Sequence, residues 1–197
     1  MKSNEKSIEV TEKDVQAALK AAKSDEVKNV LVALFCKSEN KPNVDDYKSI
    51  KTYEDACEAL GEIDVDFDKS VPKHIAALMK LETISRALWG NTFQPKPDAE
   101  GTEYYYYPWF ALYTKKEIKD RDDDEKGALL SAYALDGGAL AGFGYMNASS
   151  RSSLASAYIG FRLCQETEEK AIYFGRQFIE LWAEYMAFNF TTGERIK

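Results

Sequence analysis

Residues Tyr104–Tyr113 read YYYYPWFALY, an uncharged run carrying rings at most positions. Aromatic side chains fit a pleated, half-buried surface, so the run predicts a β-strand. Pro108 has no N–H to give a ladder, which predicts an edge strand or a bulge there. Side chains of a strand alternate between faces, so Tyr105, Tyr107 and Trp109 share one side. One face is then core and the other an exposed stripe, open to core packing, to a protein interface or to stacking on a small ligand.

Downstream, Leu129–Leu135, Ala139–Tyr145 and Tyr158–Cys164 predict three further strands, with Asp136-Gly137-Gly138 as the tight turn between the first two. Asn147–Ser156 (NASSRSSLAS) is small and polar and reads as a loop or a long hairpin tip, and Thr114–Gly127 as a charged, exposed connection. Thr167 can cap a helix with Glu168 and Glu169 in its first turn, running to about Phe188. Its stripe of Ala171, Phe174, Gly175, Phe178, Trp182 and Tyr185 must pack on something, most simply the sheet.

Upstream, Thr52 and Asp55 form a capping signature and Gly61 stands at the left-handed end position, predicting a helix over Tyr53–Leu60. A longer helix starts near Pro72, carries Ile75, Leu78, Met79 and Trp89 at helical spacing, and closes at Gly90. Asn91–Glu103 is a Pro/Gly loop. Before Lys37–Asp46 (KSENKPNVDD), Thr11 with Asp14 and then Ser24 mark the starts of two short helices. The expected organisation is a helical extension, residues 1–47, and an α+β core domain, residues 48–197. That core has helices first, a small antiparallel sheet of about four strands, and a long C-terminal amphipathic helix packed on it.

A chain of 197 residues with 45% hydrophobic and 13% aromatic content is too rich in apolar side chains to be a disordered acidic polymer. No apolar run approaches the ~18 residues of a membrane span. The N-terminal MKSNEKSIEV has no signal-peptide core, and Cys36, Cys57 and Cys164 form no CxxC pair, which predicts free thiols in a reducing cytoplasm. A net charge of −7 with no basic cluster argues against nucleic acid as a ligand.

The sequence contains no catalytic set. His74 is the only histidine, and no G-x-S-x-G turn accompanies it. Asp64-x-Asp66-x-Asp68 and Asp120-x-Asp122-x-Asp124 open like calcium loops. They place Lys69 and Glu125 where the sharp turn wants Gly, and Ile75 and Ser131 where a bidentate Glu belongs. Gly142-Phe143-Gly144 begins a dinucleotide-like pattern with Asn147 in place of its third glycine, so the strand glycines read as bulges or close packing. We therefore expect no metal, no cofactor and no enzymatic activity. The candidate interface is Tyr105, Tyr107 and Trp109 with Asn147, Ser149 and Arg151 of the polar loop.

From Lys48 onward the chain resembles a group of small phage- and prophage-encoded proteins of gut bacteria. The matching blocks are Ile50–Cys57 (IKTYEDAC) with Leu60-Gly61, Tyr106–Phe110 (YYPWF), Gly160–Cys164 (GFRLC) and the helix carrying Glu168–Ala171, Tyr173–Gly175, Gln177-Phe178 and Leu181. The resemblance implies a phage or prophage origin and brings no activity with it. Gly137–Cys164 is also similar to the closing segment of C-type-lectin-like and sulfatase-modifying-factor-like domains, which implies a receptor- or glycan-binding surface; no catalytic cysteine pair is matched. The expected function is non-enzymatic: a virion accessory or assembly component working through contacts with itself, a virion protein or a host protein. A host-takeover or anti-defence inhibitor and a receptor- or glycan-binding module are the alternatives. The expected location is the host cytoplasm or the virion.

Overall fold

The computed structural model describes residues 41–67, 71–96, 100–152 and 161–196, with a few isolated positions between 17 and 27. The chain divides into two compact units, Met1–Lys41 and Pro42–Lys197. In the first, the Ser24 hydroxyl accepts from the Val27 N–H at 3.3 Å, the cap contact expected at that position. The predicted Thr11 cap and most of both N-terminal helices lie outside the described residues.

The second unit is α+β, as expected. Helix α1 (Tyr53–Leu60) starts with a reciprocal capping box between Thr52 and Asp55 and ends at Gly61, whose φ of 68° is the left-handed geometry glycine adopts without strain. Helix α2 (Lys73–Trp89) follows Pro72. Strand β1 (Tyr104–Thr114) leads into two short helices, α3 (Lys115–Lys119) and α4 (Asp123–Lys126), in the segment read as a charged connection. Then come β2 (Leu129–Ala134), β3 (Leu140–Ser152), α5 (Glu168–Gln177), α6 (Ile179–Met186) and β4 (Phe190–Arg195). The antiparallel sheet has the order β1-β3-β2-β4.

β1 is an edge strand, as Pro108 predicts. Tyr106 exchanges two backbone hydrogen bonds with Gln165 on the side away from β3. Pro108, two residues on, aims its donor-less nitrogen to that same outer side, where it blunts the free edge.

Three readings are corrected. Asn147–Ser152 is not a loop but the second half of β3, held by pairing with β1 from Trp109↔Asn147 to Tyr104↔Ser152; the rest of that predicted loop lies outside the described residues. Of the predicted strand Tyr158–Cys164, residues 158–160 lie outside the described residues and the remainder is not strand: Phe161–Leu163 is a 3-10 turn, and Gln165 just after it forms an isolated bridge to β1. The C-terminal helix is broken at Phe178 (φ −106°, ψ 29°). Its last residues are followed by β4, a strand with no clear apolar alternation that owes its form to pairing with β2.

The main core lies between α1, α2, α5 and α6 and contains Ile50, Leu81, Ile84, Leu88, Phe174 and Trp182. A second cluster joins the sheet to α6 through Leu130, Phe143, Ile179 and Ala183. Phe110 bridges them, stacked on Phe143 and 5.1 Å from Trp182 between ring centroids. α5 reaches the sheet because Gly175 has no side chain: a Cβ there would stand 2.6 Å from Pro108 Cβ and 2.7 Å from the Tyr145 ring.

Candidate interaction face

The pairing of β1 with β3 brings the six candidate residues together. Tyr105 faces Arg151, Tyr107 faces Ser149 and Trp109 faces Asn147, three cross-strand pairs on one face of the sheet. They come from an aromatic run and a polar run that have no sequence proximity. Reading the second run as a loop hid the register that joins them.

Burial distinguishes among the readings that the sequence leaves open for these rings. Tyr105 and Tyr107 are 3% and 4% exposed, so these rings belong to the interior. Tyr105 meets Phe93 and Phe161 edge-on at 5.5 and 5.7 Å. Its hydroxyl accepts from the Lys96 N–H at 3.1 Å and lies 2.8 Å from both the Lys96 carbonyl and a Glu103 carboxylate oxygen. Rings placed this way are unavailable for stacking on a sugar or base. Trp109, Ser149 and Arg151 are half-buried and Asn147 is exposed. The Arg151 guanidinium sits 5.2 Å from the Trp109 ring centroid and donates to Ser149 Oγ at 2.9 Å and the Ser150 carbonyl at 2.7 Å. One indole face is thus already occupied by a cation.

The titratable groups here favour inertness. Burial pushes the Tyr107 phenol well above its ordinary value, and its hydroxyl has no hydrogen-bond partner among the described residues. Burial pushes the Cys164 thiol up to about 12 and raises Cys57 as well, so both stay protonated at neutral pH and are poor nucleophiles. His74 is exposed in the first turn of α2. Among the described residues no three His, Cys, Asp or Glu side chains gather in a way that could hold a metal ion, and no helix is long and apolar enough to cross a membrane.

Three of the exposed large apolar side chains lie elsewhere, at the β2–β4 end of the sheet. Tyr133 is 62% exposed, Leu135 68% and Phe188 86%. The Leu135 N–H donates to the Asn189 carbonyl at 3.0 Å, which brings the Leu135 and Phe188 segments side by side. Beyond them β4 is the last strand of the sheet, with no strand on its outer side among the described residues. The sequence signal was faint: a single phenylalanine in what was read as a helix end, and two residues of a predicted strand.

The chain matches no protein-family model, no curated protein and no solved structure.

Proposed function

We propose that this chain is a non-enzymatic phage or prophage protein that acts through protein–protein contacts, as a virion accessory or assembly component. The observation that carries the reading is the apolar end formed by Tyr133, Leu135 and Phe188 beside β4, whose outer edge is unpaired among the described residues. Large hydrophobic side chains grouped at a surface mark contact sites more often than isolated ones do. The protonated, buried thiols of Cys57 and Cys164 fit a binding role better than thiol catalysis.

Mass spectrometry of purified particles, run beside lysate of the infected cell, tests the reading. The chain is expected in the particles or in a defined complex with a virion protein, and a Tyr133→Ser, Leu135→Ser, Phe188→Ser variant should be depleted from it. A stable complex with a host protein in the lysate, and none in particles, would assign the host-directed inhibitor role instead. A monomer found in neither place would overturn the proposal.

A further inference from the structure

A groove of about 890 Å³ opens between α3 and the β2–β3 hairpin. Ile118, Ala139, Leu140 and Ala141 form its apolar floor, and Tyr133 of the exposed apolar end stands at its wall. Ile118 reaches the sheet because Gly142 lacks a Cβ, which would lie 2.9 Å from Ile118 Cδ1. Lys115, Lys116 and Lys119 also line it, all exposed.

Among the described residues none of the three groove lysines forms an ion pair with a carboxylate, in contrast to Lys126 and Lys170, which pair with Asp123 and Glu166. The one acid of α3, Glu117, is turned back: its carboxylate accepts from the Thr114 N–H and hydroxyl, each at 2.8 Å, closing the capping box. Three like charges on five residues repel one another, Lys115 and Lys119 as an i,i+4 pair. A chain of net charge −7 thus keeps three exposed lysines, against one glutamate turned away from them, over an apolar floor.

We infer that this groove binds an acidic peptide segment of a partner protein, its carboxylates on the lysine rim and its apolar side chains on the Ile118–Leu140 floor. This rests on the protein-contact reading above and names the chemistry of the partner. A nucleic-acid ligand fits less well, because three lysines give a short phosphate track and the floor offers no row of rings.

The probe is a synthetic ten-residue peptide alternating glutamate with leucine and phenylalanine, beside its counterpart with lysine for glutamate, titrated into the isotope-labelled full chain. The acidic peptide should produce saturable amide shifts over Lys115–Lys119 and Ala139–Ala141. Its binding should weaken about tenfold or more when salt is raised from ~0.05 to ~0.5 M, since exposed charges are screened. It should also be lost in the K115E/K116E/K119E variant. Ala139→Glu, which places a charge on the floor and leaves the rim intact, should weaken it independently.

Equal binding of the lysine peptide, shifts mapped to another surface, or undiminished binding by the charge-reversed variant would overturn the inference. So would tighter binding of a short DNA duplex, or a change of molecular mass in light scattering on charge reversal, which would make the occupant a second copy. If the wild-type chain and K115E/K116E/K119E enter particles equally, the groove assignment falls and the protein-contact reading stands. If the acidic peptide binds as described and the chain is in no complex, the reverse holds.

Discussion

Arg195, in the last strand, clamps Glu180 in α6 through Nε at 2.6 Å and Nη2 at 3.0 Å. The same guanidinium donates to the Gln177 carbonyl at 3.0 Å and the Arg176 carbonyl at 3.4 Å. Those carbonyls end α5, where the break at Phe178 leaves backbone acceptors without helical partners. One side chain from β4 therefore satisfies the break between two helices. Arg195→Ala should cost about 1–2 kcal/mol, more than a solvent-exposed ion pair alone, because backbone acceptors are orphaned with it. Arg195→Lys should recover only part, since an ammonium lacks the planar fork. Urea unfolding checks both; a loss near zero would make the contact incidental.

Gly175→Ala should destabilise the protein by about 1–3 kcal/mol through overpacking against Pro108 and Tyr145. The sign is informative, because helix propensity alone would make alanine the better residue by ~1 kcal/mol. A rise in melting temperature would mean that α5 can move off the sheet without loss.

Trp182 is buried against Phe174 and Phe110, with ring centroids 5.1 Å away in each case, and its indole N–H donates to the Phe174 carbonyl at 3.2 Å. Trp182→Ala should cost ~3–5 kcal/mol. Trp182→Phe keeps much of the packing and loses the hydrogen bond, so its loss should be nearer ~1–2 kcal/mol. Chemical denaturation of the two variants separates the contributions.

Stability should fall in alkali. Burial raises Cys164 from 9.0 to about 12 and Tyr173 from 10.0 to about 12. The unfolded chain loses these protons first, so the contribution is intact below about pH 9 and drains away as pH rises toward 12. Urea midpoints measured from pH 8 to pH 11 should decline, and less steeply in Cys164→Ala. In the native state at pH 8, iodoacetamide followed by peptide mapping should leave Cys57 and Cys164 unmodified; rapid labelling of Cys164 would contradict its burial.

What the sequence determined by itself is local. The caps at Thr52 and Thr167, the glycine at 61 and the starts of α1, α2 and α5 follow from contacts within four residues. So does the restriction of Pro108 to an edge strand or a bulge, because a missing N–H is a property of one residue; the sheet order decided for the edge. The wide apolar stripe around Phe174 and Trp182 was legible for the same reason: helical spacing alone aligns it.

Tertiary structure decided everything that depends on a partner distant in the chain. The polar NASSRS segment became strand because β1 supplies hydrogen-bond partners along it, and composition does not encode that register. Phe178 could interrupt a sequence with helical periodicity because Arg195 satisfies the released carbonyls. The aromatic strand most suggestive of an interface buried Tyr105 and Tyr107, since alternation tells which rings share a face and not which face the rest of the chain will cover. The exposure of the Tyr133–Phe188 end and the groove between α3 and the β2–β3 hairpin follows likewise from how distant elements pack, which local composition does not encode.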